Sequence, residues 1–200
     1  MATNVFSVIP RRVWLFAIFI LVIIGGYFIV RFVIVEPRSA PREFLEARSG
    51  AAAIAADIVA LSDQTSSRLG GVAKLDSEKK YTEALVMVSE ELSRNRTARE
   101  RAVDLSRQLE IMARSLSQIS PQTASQKALE ALSSETALIS RLISYNDFLN
   151  QLLEILRSKF LDKGDGSNIP ELIKRINNEA QAINDLNKKF NDAMKEFDSL

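Results

Sequence analysis

The stretch ALEALSSETALISRLISYNDFLNQLLEILRSKF, residues 128–160, carries the most regular hydrophobic pattern outside the N-terminal region of this chain. Its apolar residues recur at alternating steps of three and four, the spacing that places side chains on one face of a helix. A seam sustained over more than four heptads is typical of a helix in a coiled coil or helical bundle. The seam positions are Ala128, Leu132, Glu135, Ile139, Leu142, Asn146, Leu149, Leu153, Leu156 and Phe160.

Three polar residues occupy seam positions where an apolar side chain would stabilise a helix more. Glu135 and Asn146 lie in the seam of this helix, and Asn187 lies in the seam of the last predicted helix. Buried polar seam residues often set the register or the oligomeric state of a bundle, and that is the role we predict for them. The alternative is that they line a ligand cavity.

The same spacing predicts four helices in the region 42–200, at residues 42–67, 76–119, 121–162 and 168–198. Gly70 and Gly71 are expected to end the first helix, Asp76 to cap the second and Pro121 to open the third. The predicted fold is all-α: one N-terminal transmembrane helix followed by an elongated, antiparallel, coiled-coil-like bundle. Because the second and third helices are predicted to be longest, their overhanging stripes would need a partner or a second copy to cover them.

The N-terminal region contains eighteen consecutive residues without a charge, VWLFAIFILVIIGGYFIV at 13–30, and the apolar run resumes after Arg31. This length matches the hydrocarbon thickness of a bilayer, so we predict a transmembrane helix at 13–35. A short polar tail, 1–12, precedes it, and a linker with two prolines, 36–41, follows it. The expected membrane-anchor flanks are Arg11, Arg12, Trp14, Tyr27 and Arg31.

An uncleaved signal anchor is favoured over a cleaved secretory signal, because the apolar stretch is long and no small-x-small cleavage site follows it closely. A twin-arginine signal at Arg11 and Arg12 is a weaker alternative for the same reason. The count of basic flanking residues leans slightly toward a cytoplasmic C-terminal domain. The basic, acid-free tail and the large polar domain that follows are nevertheless common in exported signal anchors, and we expect the helical domain to be extracytoplasmic.

Residues 93–101, SRNRTARER, contain four arginines and one glutamate. This stretch is either a solvated section of the second helix or a docking patch for an acidic partner or for lipid headgroups. The patch residues are Arg94, Arg96, Arg99 and Arg101.

The composition excludes several classes of function. The chain has no cysteine and no histidine, so thiolate or imidazole metal ligands and nucleophile–histidine pairs are absent. Removing Arg11, Arg12 and Arg31 from the 26 basic residues leaves 23 against 25 acidic residues, a net charge of −2 that does not favour nucleic-acid binding. The loop DKGDGSN, 162–168, resembles a calcium-binding loop but lacks the required acids at its third and twelfth positions. We expect no metal, no cofactor and no small-molecule substrate.

The sequence therefore predicts that the chain is no enzyme but a membrane-tethered structural, scaffold or adaptor protein. Its expected partners are the lipid bilayer and other proteins, as a homo-oligomer or as subunits of a membrane complex. A ligand-sensing extracytoplasmic bundle that works with a separate signalling partner is the alternative.

Overall fold

The computed structural model describes residues 40–162 and 167–200. These residues form four α-helices and no β-strand, which confirms the predicted all-α helical bundle for this part of the chain. A 3-10 turn, Leu116–Gln118, lies between the second and third helices. The helices are α1 (Arg42–Ser77), α2 (Tyr81–Arg114), α3 (Gln122–Phe160) and α4 (Ile169–Ser199).

The predicted membrane segment cannot be compared with this structure. The tail 1–12, the transmembrane helix 13–35 and residues 36–39 of the linker lie outside the described residues. Within residues 40–162 and 167–200, no helix is long and apolar enough to cross a bilayer.

Consecutive helices run antiparallel, as their side-chain pairs show. Between α1 and α2, Arg68 pairs with Glu90, whereas Asp57, eleven residues earlier, lies 3.8 Å from Arg101, eleven residues later. The base is the end that holds the first residue of α1 and the last residue of α4. The tip is the opposite end, where residues 78–80 connect α1 to α2, where α3 ends and where α4 begins. The order between α3 and α4 is given by the pairs Lys127–Glu196 and Arg141–Glu179.

At the base, α1 and α4 are joined directly. The rings of Phe44 and Phe197 lie 5.6 Å apart, and both side chains are almost fully buried. Beside them, the Arg48 guanidinium donates two hydrogen bonds, of 2.7 and 2.8 Å, to the two carboxylate oxygens of Asp198. A bidentate pair of this kind fixes both position and orientation, so it closes the bundle between its first and last helices.

The hydrophobic core is divided into two clusters along the bundle axis. The base cluster contains 22 buried side chains from all four helices and the α2–α3 connection, among them Phe44, Ile58, Leu105, Leu142 and Phe190. The tip cluster has ten members: Val72, Ala84, Val88, Leu149, Leu152, Leu153, Leu156, Phe160, Ile169 and Leu172.

The predicted end of the first helix is wrong, because α1 continues through both glycines to Ser77. A Cβ added at Gly71 would lie 3.1 Å from the sulfur of Met87, so the glycine allows α2 to approach closely. One residue later, fully buried Val72 ties this part of α1 to the core. Packing of an apolar face stabilises a helix more than the intrinsic preference of glycine opposes it. Asp76 accordingly lies within α1, where its carboxylate accepts a hydrogen bond of 2.7 Å from Lys159.

The second predicted helix, 76–119, is shorter than expected and spans Tyr81–Arg114. The chain leaves the helix in the 3-10 turn and is extended at Ile119. The helix could not continue through the next residue without strain, since Ser120 directly precedes Pro121 and a residue before proline avoids helical backbone. The four helices have 36, 34, 39 and 31 residues, so the overhang expected from unequal lengths is not found. The similar helix lengths therefore give no reason to expect a partner that covers overhanging apolar stripes. The third and fourth helices begin and end within two residues of their predicted bounds.

Candidate functional site: an arginine stretch and a buried polar layer

The arginine stretch lies on α2, and two of its members hold α2 against α1. Arg94 donates a hydrogen bond of 2.5 Å to the side-chain oxygen of Gln64 in α1. Arg101 lies 3.8 Å from Asp57 in α1 and 3.6 Å from Asp104 in α2. Opposite charges at this distance cancel much of the field that an acidic partner would feel.

The other two arginines face outward. Arg99 is exposed and lies 3.4 Å from Asp147 in α3, in a pair whose two side chains are about half exposed. Arg96 is also exposed, and within the described residues it makes no ion pair. Because Asp147 offsets the charge of Arg99 in the same way, a docking role for the predicted patch rests mainly on Arg96, and it stays a prediction.

Glu135, one of the three predicted seam residues, is a buried carboxyl group. It is 2% exposed, and its Oε2 atom makes no hydrogen bond. Burial raises the pKa of Glu135 to about 8, because a charged carboxylate is poorly solvated in a hydrophobic core. At neutral pH the group is therefore mostly protonated and uncharged.

Asn146 and Asn187 are also buried, but their side chains bond within their own helices. The Asn146 amide donates to the backbone oxygen of Leu142 at 2.8 Å, and the Asn187 side-chain oxygen accepts a hydrogen bond of 3.2 Å from Asn191. These bonds do not by themselves fix one helix against another. The register role predicted for the two residues stays a prediction.

Sequence reasoning missed Asn95, which does join two helices. Its amide nitrogen donates a buried hydrogen bond of 2.8 Å to the backbone oxygen of Asn146, which ties α2 to α3. A signal was present in the chain, since Val88, Asn95 and Ala102 are separated by steps of seven and are all buried. Because arginines flank Asn95, the stretch has the pattern of a solvated charged face, in which a buried heptad position is hard to recognise.

A second residue that sequence reasoning missed is Glu91, which is fully buried three positions after Val88. Its carboxylate forms an ion pair with Arg68 of α1 and lies 3.4 Å from Arg94. Neither pair has hydrogen-bond alignment, and both carboxylate oxygens lack a hydrogen-bond donor among the described residues. Charge rather than hydrogen bonding therefore compensates for the burial of Glu91.

Four buried polar side chains form one layer that crosses the bundle between the two apolar clusters. In α1 the only buried residue between Ile58 and Val72 is Thr65. In α2 the buried residues between Val88 and Ala98 are Glu91 and Asn95, and in α3 the only one between Leu142 and Leu149 is Asn146. In α4 no residue between Leu172 and Ile183 is buried. We call Thr65, Glu91, Asn95 and Asn146 the polar layer.

No cluster of potential metal ligands occurs in residues 40–162 and 167–200. Groups of three or more acidic, histidine or cysteine residues that could hold a metal ion are not found there. The buried carboxyl groups of Glu91 and Glu135 lie on different helices, one paired with arginine and the other uncharged at neutral pH. The anchor flanks Arg11, Arg12, Trp14, Tyr27 and Arg31 lie outside the described residues.

Comparison of the chain with protein-family models, with curated proteins and with solved structures gives no match.

Proposed function

We propose that this protein is a single-pass membrane protein whose helical bundle serves as a scaffold or adaptor and presents a protein-binding surface at a set distance from the bilayer. The observation that carries this proposal is the position of Arg42, which opens α1 at the base of the bundle only seven residues after the apolar segment 13–35. The base would therefore lie beside the membrane. With 36 residues in α1, the tip would lie about 54 Å further out.

Two exposed surfaces support a role in protein binding. At the tip, Tyr81 and Leu161 keep 44% and 45% of their surface exposed, although both are large apolar residues. On the flank of α2, Arg96 provides exposed positive charge. Exposed aromatic residues and arginines are enriched where proteins bind one another.

Site-specific photo-crosslinking in native membranes tests the adaptor role. A photoreactive residue is placed at Tyr81, at Arg96 or, as the control, at exposed Lys188 on α4. We expect one defined protein adduct from Tyr81 or Arg96 and none from Lys188. Absence of protein adducts at all three positions, or identical adducts at all three, would contradict a specific binding surface.

The proposed extracytoplasmic location can be tested because the chain has no native cysteine. A single cysteine at exposed Ser133 on α3 should react with a membrane-impermeant maleimide in intact cells. Labelling that requires cell lysis would place the bundle in the cytoplasm and would reverse the proposed orientation.

The alternative function, a ligand-sensing bundle with a separate signalling partner, is favoured by one observation. Asn95 presents a buried side-chain oxygen atom without a hydrogen-bond donor, and such an acceptor suits a small ligand that carries N–H or O–H groups. A thermal-shift screen with amines, amino acids and polyols would test it. A hit that stabilises the wild type but not Asn95→Ala would favour sensing over scaffolding.

A further inference from the structure

We propose that the bundle opens in two steps: the tip half opens as one unit while the base half stays folded, and the polar layer is the boundary between them. This inference concerns the bundle alone and does not depend on the membrane role proposed above.

Fully buried apolar packing is interrupted at the same level in all four helices, where partly buried side chains such as Leu92 and Ile176 only border the tip cluster. The residues of the polar layer replace hydrophobic side chains in α1, α2 and α3, and the matching part of α4 has no buried residue. Cooperative unfolding of a helical bundle depends on a continuous packed core. An interruption that crosses all four helices therefore weakens the coupling between the two halves.

Few side-chain contacts connect the tip cluster with the base cluster across this interruption. Tyr145 is the one side chain among the described residues that packs against both apolar clusters. The hydrogen bond from Asn95 to the Asn146 backbone and the ion pair between Arg68 and Glu91 lie within the boundary. Each joins two helices at one level and does not connect tip to base, so neither couples the two halves along the axis.

The tip half is the less stable of the two and opens first. The tip cluster has ten buried hydrophobic residues and the base cluster has 22, so the tip has less buried apolar surface to stabilise it. In the tip, α1 contributes only Val72 to the buried cluster and α4 only Ile169 and Leu172. One hydrogen bond, from Lys159 to Asp76, also joins α1 to α3 there, but it does not join α1 to α4. At the base, by contrast, the Arg48–Asp198 pair and the Phe44–Phe197 contact join the same two helices. The geometry therefore has α1 and α4 separating from the α2–α3 pair at the tip.

Opening of the tip would expose apolar side chains that are inaccessible in the closed bundle. Leu149, Leu152, Leu153 and Leu156 lie on one stretch of α3 and are buried beneath the other helices. Local opening of a less stable unit exposes such surface at a small cost compared with global unfolding.

Native-state hydrogen exchange, measured by mass spectrometry on the full chain in detergent, tests the proposal. We expect two levels of amide protection, with the tip at least tenfold less protected than the base. The step between the levels should fall at residues 59–71 in α1, 89–97 in α2, 143–148 in α3 and 173–182 in α4. One common level for all four helices, or a step located elsewhere, would overturn the proposal.

Two matched variants separate local from global opening. Leu105 in the base and Leu153 in the tip are both at most 1% exposed, and each is changed to alanine. Leu105→Ala should lower base protection by at least about thirtyfold, because this substitution acts on global unfolding and leaves tip opening itself undisturbed. Tip protection should fall only by the amount, if any, by which base protection drops below the wild-type level of the tip, since global unfolding also exposes the tip. Leu153→Ala should lower protection in both halves, since global unfolding includes opening of the tip.

Equal loss of tip and base protection in Leu105→Ala would show a single cooperative unit and would overturn the inference. Should Leu105→Ala fail to fold, Ile183→Val in the base cluster serves the same purpose. The expected loss of base protection is then about threefold to tenfold, with tip protection nearly unchanged.

Discussion

Glu90 and Glu91 are neighbours in α2 that both pair with Arg68, yet their surroundings differ sharply. The Glu90 side chain is 53% exposed, whereas Glu91 is fully buried. Water screens an exposed pair and competes for its charges, so such a pair contributes little to stability. Removal of a buried partner leaves the remaining charge poorly solvated and costs much more.

This difference gives a matched prediction. Glu91→Ala should lower the free energy of unfolding by about 2 kcal/mol, less than for a fully buried pair because Arg68 and Arg94 can still reach water. Glu90→Ala should lower it by less than about 0.5 kcal/mol. Urea unfolding followed by circular dichroism measures both, and equal losses would show that burial of Glu91 is unimportant.

Glu135 gives a prediction of pH dependence. Its pKa is about 8 in the folded protein, against an ordinary value of 4.5, so between these values the folded state holds a proton that the unfolded state has lost. The contribution of Glu135 to stability is therefore greatest below pH 4.5 and falls as pH rises to 8, by up to about 1.4 kcal/mol per pH unit. Above pH 8 it is constant.

The Glu135→Gln variant should remove this slope, because glutamine does not titrate. We expect the difference in stability between variant and wild type to grow in favour of the variant from pH 5 to pH 8. Glu154→Gln, at an exposed position on the same helix, is the control and should leave the slope unchanged. Parallel stability curves for wild type and Glu135→Gln would contradict the burial of a protonated acid.

At the residue scale, the seam pattern predicted which polar residues of α3 and α4 are buried, because heptad spacing places Glu135, Asn146 and Asn187 on the packed face. It did not reveal Glu91 and Asn95. A buried glutamate three residues before an arginine has the same sequence pattern as a solvated charged stretch. Only the position of Arg68 on the facing helix distinguishes the two.

At the scale of helices, α1 shows how packing overrides intrinsic preference. Gly70 and Gly71 interrupt neither its backbone nor its register. A Cβ at Gly70 would meet no atom within 4 Å, whereas a Cβ at Gly71 would lie 3.1 Å from the Met87 sulfur. Both glycines cost helix stability relative to alanine, but only Gly71 has a packing reason to remain small.

Gly70→Ala should therefore raise the free energy of unfolding by about 0.5 to 1 kcal/mol, because alanine reduces the conformational entropy of the unfolded chain. Gly71→Ala should give a smaller gain or none, since Met87 must move aside. The same urea titration compares the two variants. A larger gain from Gly71→Ala would mean that the close approach of α2 does not matter.

The sequence predicted the number and order of helices in the bundle because each has a strong apolar stripe. It misplaced the first connection because glycine indicates a helix end only where nothing packs beyond it. Val72, Asp76 and their partners on α2 and α3 lie beyond the glycines and extend α1 by ten residues past the predicted end at 67.

At the scale of the whole molecule, the four described helices bury their apolar faces against one another along most of their length. Their lengths differ by at most eight residues. A partner is therefore not needed to complete the core. The proposed adaptor role depends instead on the exposed tip and on the attachment of the base to a membrane. The proposed attachment is the central claim, because it would set the orientation of the bundle and its distance from the bilayer.

Alkaline carbonate extraction of membranes that contain the full chain tests this claim most directly, with a variant that lacks residues 13–35 as the control. We predict that the full chain stays in the membrane pellet and that the variant is released into the supernatant. Release of the full chain by carbonate would contradict a membrane-spanning anchor and, with it, the proposed function.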